Sequence, residues 1–498
     1  MGGCALSATV ESAKPPQKGF FGHPAALGPL FFTEFWERVS YYGMRAILLY
    51  FMYSKLSDGG LGLDPTLAKS LMSIYGAAVF MSSILGGWLA DRIFGSRRAV
   101  LYGGVLIMFG HIALSFPSGV TALYVSMLLI TIGTGLLKPN ISNMVGGLYE
   151  EKDRRRDAGF SIFYMSTNAG AVVAPLLVGT LGQQVSYHLG FSVAAVGMFI
   201  ALIIYVLGRS RLGGVGAGPG NPLTPDERGK VFGRIGIGAA IVVVLFVVVV
   251  LAGWFTVDLV INVISVLGIL LPTAYFVTMI RSKQVNAVER SRVIAYIPLF
   301  IASLFFWMIE EQGSVVLADY AANRTDLHIG SLPLLASWFQ TLNPGFIVVL
   351  APVFAFMWTR LGARQPSTPV KFAIGLGMAG LSYLLMVLPA ALYGPDAKVS
   401  PFWLVGSFLI VILGELCLSP VGLSATTRLA PKAFGAQMLS LWFLSDAAAQ
   451  GISAQIVPFA TPKTEIPYFG IVGGITVLLA FGLLFLAPAI SRKMQGVD

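Results

Sequence analysis

Glu34, Glu37, Arg38 and Arg45 stand within twelve positions of an otherwise apolar stretch that runs from about Ala25 to Tyr53. A charge at the centre of a bilayer-spanning helix costs on the order of 3 kcal/mol on insertion scales, so four together require a purpose. At about 100° per residue, Glu34, Arg38, Tyr41 and Arg45 share an arc of roughly 60°, flanked by Glu37 and Tyr42. One wall of this helix is charged, while the remainder can meet lipid or packed neighbours. The chemistry open to such a wall is ion pairing, proton exchange on carboxylates and the gripping of charged solutes. The expected setting is a water-filled cavity in a solute carrier.

The elements that position these residues follow from composition. The 498-residue chain is 56% hydrophobic and 11% charged, against about 25% charged in soluble domains. Apolar runs of ~20 residues or more alternate with short charged loops, which predicts an all-α polytopic membrane protein. The alternation of barrel strands is absent. Spans are expected at 27–53, 67–90, 99–117, 120–147, 158–182, 187–208, 233–254, 257–280, 292–320, 331–358, 369–393, 400–428, 432–457 and 467–490. That makes fourteen transmembrane helices, an even number, so both termini share a side.

Roughly 25 Lys and Arg residues fall in loops 91–98, 150–157 (with Lys152, Arg154, Arg155 and Arg156), 209–234, 281–292, 360–371 and 492–493, and about five, Lys55, Lys69, Arg324, Lys398 and Lys463, on the other side. Both termini are therefore expected in the cytoplasm. Segment 209–232 is crowded with Gly and Pro and reads as a linker. The expected organisation is a cytoplasmic tail at 1–26, a six-helix bundle at 27–208, the linker, an accessory hairpin at 233–281, a second six-helix bundle at 288–491 and a tail at 492–498. The hairpin opens with an aliphatic run from Gly236 to Gly253 that has no polar wall and is expected to face lipid.

Other classes are disfavoured. The net charge of +10 collects in the loops of one side, so it argues for topology and against nucleic acid. Cys4 and Cys417 are the only cysteines, and His23, His111, His188 and His328 are scattered, so neither a disulfide framework nor a metal site is expected. No hydrolase or metalloprotease motif stands in the chain, and no enzyme is expected. The first 22 residues are polar and contain prolines without an apolar core, so the first span is expected to direct insertion itself.

Several motifs sharpen the reading. Gly86-Gly87, then Asp91, Arg92, Gly95, Arg97 and Arg98, resemble the loop between helices two and three of the major facilitator superfamily. Glycines there allow close helix approach, and Asp91 and Arg92 are expected to make breakable contacts across the bundle seam. Glu34-x-x-Glu37-Arg38 followed by Tyr41-Tyr42-Gly-Met-Arg45 resembles the first-helix signature of the proton-dependent oligopeptide transporter family. The likeness continues at Gly133 to Asn140 around Lys138, at Phe163 to Gly170 around Asn168, at Phe306-Trp307 to Gly313, at Gln340 to Pro344 around Asn343, at Gly414-Glu415 to Ser424, and at Leu441-Trp442-Phe443.

The resemblance implies a major facilitator fold and a proton-coupled symporter of di- and tripeptides in the cell inner membrane. The alternatives are a carrier of another small anion such as nitrate, or a transporter-like receptor. Implied partners are di- and tripeptides, peptide-like drugs, protons and the bilayer, with no cofactor beyond the coupling proton, and the expected state is a monomer. Implied peptide-binding residues are Arg38, Tyr41, Tyr42, Arg45, Lys138, Asn168, Trp307, Asn343, Glu415 and Trp442. Arginine can grip a carboxylate in two-pronged fashion, lysine acts as a point charge, and the asparagines serve amides. Proton coupling falls to Glu34, Glu37, Arg38 and Glu311. Gating falls to two alternately broken pairs, Arg45 with Glu311 and Lys138 with Glu415, and to Asp91 and Arg92. The chain departs from the family pattern at Val39, at Phe80 where a tyrosine is common, at Glu310 where glutamine is usual, and at Asp446 where an acid is uncommon. Glu310 is expected to face another helix or a water path. Asp446 is expected to add a protonation site or to pair with a hydroxyl.

Overall fold

A computed structural model describes residues 19–497 apart from 151, 152 and 154. Most of the predicted N-terminal tail, with Cys4, and the loop residues Lys152 and Arg154 lie outside the described residues. Among those described there are sixteen α-helices: α1 Leu27–Tyr53, α2 Pro65–Leu89, α3 Ser96–Ser115, α4 Gly119–Gly146, α5 Arg156–Ala174, α6 Thr180–Gln184, α7 Tyr187–Gly208, α8 Pro225–Leu251, α9 Val257–Arg281, α10 Ala287–Glu311, α11 Val316–Asn323, α12 Leu342–Leu361, α13 Thr368–Tyr393, α14 Phe402–Leu429, α15 Gly435–Ile456 and α16 Glu465–Lys493. Segments α5 and α6 are joined by a wide helical turn at Pro175–Gly179, and α10 and α11 by a tight turn at Gln312–Ser314, so each pair continues as one rod.

Among the described residues, twelve helical rods are long and apolar enough to cross a membrane. The two further long helices, α1 and α15, have 27 and 22 residues. Their polar residues set them apart: α1 carries Glu34, Glu37, Arg38 and Arg45, and α15 carries Ser445, Asp446 and Gln450. Both contribute to the site described below, so their low hydropathy marks the elements that line it.

The helices gather into two bundles. In the first, α1 packs on α5 and α7, α2 on α4, and α3 on α4 and α7. In the second, α13 packs on α14 and α16, and α10 on α13, α15 and α16. The seam between them is made chiefly by α2 against α15 and α5 against α12. Glycines permit the closest approaches: a Cβ at Gly414 would stand 2.6 Å from the Gly375 carbonyl oxygen, so α14 lies directly on α13. Helix α8 buries no residue at all, whereas α9 packs on α15 and α2, where Ser265 donates to the Gly451 carbonyl at 2.8 Å.

Some boundaries differ from expectation, each for a local reason. Helix α10 starts at Ala287 and not at 292, because Asn286 and Glu289 form a reciprocal cap, with 2.9 Å to the Glu289 N–H and 3.1 Å back to the Asn286 N–H. Helix α8 starts at Pro225 within the expected linker, capped in the same way by Thr224 and Glu227. Asp64 caps α2, and the Thr66 hydroxyl and the backbone N–H groups of Thr66 and Leu67 hold its carboxyl below the ordinary range. The span expected at 331–358 begins at Leu342, because a small hairpin of His328–Ile329 with Leu332–Pro333 and a tight helical turn at Ala336–Thr341 precede it.

Candidate functional site

A cavity of about 340 Å³ lies between the bundles, within the range of small-ligand sites. Helix α1 supplies Tyr42 and Arg45, α2 Phe80, α4 Lys138, and α5 Thr167 and Asn168. The second bundle supplies Trp307, Glu310 and Glu311 from α10, Asn343 from α12, Glu415 and Ser419 from α14, and Trp442 and Asp446 from α15. Local backbone features aim several of these. Pro175, at the wide turn after α5, lines the cavity itself, and a turn of that kind is a common device at functional sites. Pro420 in α14 lacks an N–H and frees the carbonyl of Leu416, the residue that follows Glu415.

Eight of the ten expected peptide-binding residues line this cavity; Arg38 and Tyr41 do not. The charged stripe of α1 divides along its length. Its upper part, Arg45, faces the cavity. Its lower part turns toward α5, where Gly170 allows contact: a Cβ there would stand 2.8 Å from the Arg38 Cβ. Arg38 is 2% exposed and donates from Nε to Glu34 Oε1 at 2.6 Å, with Glu37 Oε2 3.1 Å away. The Thr167 hydroxyl also donates to Glu34 Oε1 at 3.1 Å. Tyr41 is buried edge-to-face against Tyr42, with ring centroids 5.3 Å apart.

The two expected gating pairs differ. Arg45 Nη2 donates to Glu311 Oε2 and to the Ser314 hydroxyl, which links α1 to α10 across the cavity. Lys138 and Glu415 form no ion pair. The Lys138 ammonium lies 4.6 Å from the centroid of the Phe80 ring, and Glu415 Oε2 has no hydrogen-bond partner. Phe80 thus gives the ammonium an aromatic face to rest on. Glu310, expected to face another helix or a water path, lines the cavity and accepts from Asn343 Nδ2 of α12 at 2.6 Å. Asp446 also lines it and accepts from the Gln450 amide, not from a hydroxyl, at 2.7 Å. Arg92 does not reach across the seam; it pairs with Glu227 at the start of α8, 2.9 Å apart and partly exposed. The linker bonds to the same loop, with Asn221 N–H donating to the Asp91 carbonyl at 3.0 Å.

A further ion pair was not singled out from the sequence. Lys69 of α2, counted there as a loop residue, is 4% exposed in its side chain and stands 2.7 Å from Asp319 of α11. Its ammonium also donates to the Ala460 carbonyl at 2.8 Å. Close by, Tyr50 donates to the Ala318 carbonyl at 3.0 Å, Ser70 to the Ala454 carbonyl at 2.8 Å, and the Trp338 indole to Thr180 at 2.9 Å. All of these join the two bundles where α1 ends and α2 begins, so the seam is closed at that end. The usable signal was a lysine and an aspartate lying inside apolar helices.

Because it spans the closed seam, the pair is expected to act as a latch. A charge-assisted bond of this kind stabilises the closed end by roughly 1.5–3 kcal/mol, a factor of about ten or more in the closed-to-open ratio. Asp319→Asn is expected to lengthen the distance between spin labels at Leu56→Cys and Leu332→Cys, exposed sites on the two bundles at this end, in protein whose native cysteines are serine. An unchanged distance distribution would remove the latch role.

Comparison with known proteins agrees with this architecture. Residues 97–474 match the family described as PTR2, the POT family. A transporter of Bacillus subtilis (strain 168), named uncharacterized transporter YclF, is 56% identical over 97% of both chains. A di-/tripeptide transporter of Lactococcus lactis subsp. cremoris is 46% identical over 98% of this chain and 100% of its own. The crystal structure of peptide transporter POT in complex with sulfate superimposes with a TM-score of 0.94 at 59% identity, covering 97% of this chain and 98% of the other. The chain therefore belongs to the POT family.

Proposed function

We propose that this protein is a proton-coupled symporter that imports di- and tripeptides across the cell inner membrane by alternating access. The observation that carries the reading is the polarity of the cavity. Its first-bundle wall presents Arg45 and Lys138, and its second-bundle wall presents Glu415, with Asn168 and Asn343 between. A free peptide has the matching pattern: a carboxylate at one end, an ammonium at the other and amides between them. Trp307 and Trp442, edge-to-face at 6.2 Å, offer apolar surface to side chains without selecting one shape. The Lactococcus relative, named for di- and tripeptides and similar along its whole length, supports the same substrate class.

In this reading α1 and α15 also cross the bilayer, giving fourteen spans with both termini in the cytoplasm, and the closed end faces outward. The cavity is then served from the cytoplasm in this conformer. Glu34, Glu37 and Arg38 handle the coupling proton, with Glu311 releasing Arg45 to the substrate carboxylate when it is protonated. No other cofactor is needed, and the monomer is the working unit. One proton moving inward down 100 mV releases about 2.3 kcal/mol, enough for roughly 50-fold accumulation.

The test is uptake of labelled alanyl-alanine into proteoliposomes under an imposed inward proton gradient and potential. Accumulation above the outside concentration, abolished by a protonophore, is expected. Uptake that ignores the protonophore, or nitrate uptake in place of dipeptide uptake, would overturn the reading.

A further inference from the structure

Among the described residues, the cavity lining carries more carboxyl groups than its one free cation and the ammonium of a simple dipeptide can pair. Arg45 and Glu311 both line it but close on each other. What remains on its lining is one cation, Lys138, against three carboxylates, Glu310, Glu415 and Asp446. A peptide zwitterion adds one charge of each sign and leaves this surplus where it was. All three acids belong to the second-bundle wall, on α10, α14 and α15. Asp446 is 5% exposed; the Gln450 amide takes its Oδ1, and its Oδ2 accepts no hydrogen bond among the described residues. A carboxylate oxygen that lines a cavity with no protein donor is free to receive a cation there.

Glu310 is the best placed of the three to meet one. Glu415 is the carboxylate assigned to the peptide ammonium. Asn343 holds Glu310 through Oε1 at 2.6 Å, which fixes its direction and leaves Oε2 without a donor among the described residues. Trp307 and Trp442 line the same cavity, and indole rings attract cations. We propose that Glu310, oriented by Asn343, forms a second cation subsite that takes the ammonium or guanidinium of a lysine or arginine side chain on the transported peptide. This subsite rests on the peptide reading given above and adds to it a preferred substrate class. Dipeptides with an acidic side chain would meet the same surplus as repulsion.

The experiment is equilibrium competition against labelled alanyl-alanine by alanyl-lysine and by alanyl-Nε-acetyl-lysine, which keeps the length of the side chain and removes its charge. In the wild type alanyl-lysine is expected to bind about tenfold or more tighter than the acetylated form, the worth of one charge-assisted contact. Glu310→Gln, which is isosteric, should bring that ratio below about threefold, while Glu310→Asp, which keeps the charge, should retain a preference. Equal binding of the two competitors by the wild type would overturn the proposal, and this arm stands whether or not a variant folds. An unchanged ratio in Glu310→Gln would also overturn it. So would loss of gradient-driven uptake in that variant with the ratio intact, which would make Glu310 a proton carrier. Failure of alanyl-alanine itself to bind the wild type is a distinct outcome, one that removes the peptide reading along with the subsite.

Discussion

Glu37→Gln is expected to abolish accumulation of dipeptide against its gradient while exchange of labelled for unlabelled peptide persists. Accumulation should fall from roughly 50-fold at 100 mV to about unity. The structure separates two carboxylates that the sequence could only treat as a pair. Glu34 receives the Arg38 guanidinium at 2.6 Å and the Thr167 hydroxyl at 3.1 Å. Glu37 is 0% exposed and neither of its oxygens accepts a hydrogen bond. Arg38 Nε is within ion-pair distance of Glu37, at 3.1 Å, but its N–H is aimed at Glu34. Two carboxylates thus share one guanidinium, and one proton on the trio leaves it neutral. Glu34 Oε1 receives two donors, whereas neither Glu37 oxygen has one among the described residues, so Glu37 is the expected carrier of that proton. Counterflow and protonophore-sensitive uptake, measured side by side in proteoliposomes, check this. Uphill uptake by Glu37→Gln at the wild-type rate would exclude Glu37 from coupling.

The helices were legible because each must satisfy its own backbone in lipid, so long apolar runs can only be helices. The ends were less so. Ala287 begins α10 because Asn286 and Glu289 cap one another, and that cap sits among charged loop residues that hydropathy assigns to water. At the site, the charge inventory was readable and the facing was not. A helical wheel puts Arg38 and Arg45 on one stripe. It carries no knowledge that Gly170 draws the lower half of α1 against α5. The Arg45–Glu311 pair was implied by the family resemblance, and the structure closes it. The absence of a Lys138–Glu415 pair depends on how far apart the bundles stand in this conformer, which no spacing along the chain encodes. Lys69 was hidden for a different reason: it lies one turn inside α2, where a lysine reads as an interfacial anchor unless its partner Asp319 is seen.

The open Lys138–Glu415 gap leads to the remaining large effect, that of Glu415→Gln on the reading of the peptide amine. Glu415 lines the cavity with Oε2 unpartnered, so its charge is available to a ligand and is not spent on Lys138. The ammonium of a free dipeptide loses hydration on entering, and a charge-assisted contact with Glu415 offsets that loss. Removing the charge should weaken free dipeptides by roughly ten- to a hundredfold, the range for a hydrogen bond to a charged group. N-acetylated dipeptides lack the ammonium; they should already bind poorly to the wild type and lose little more on substitution. Competition against a labelled dipeptide at equilibrium, with free and acetylated forms on both proteins, separates the two cases. If both forms lose affinity equally, Glu415 acts on the packing of α14 or through Lys138 in another conformer, and the amine is read elsewhere on the second-bundle wall.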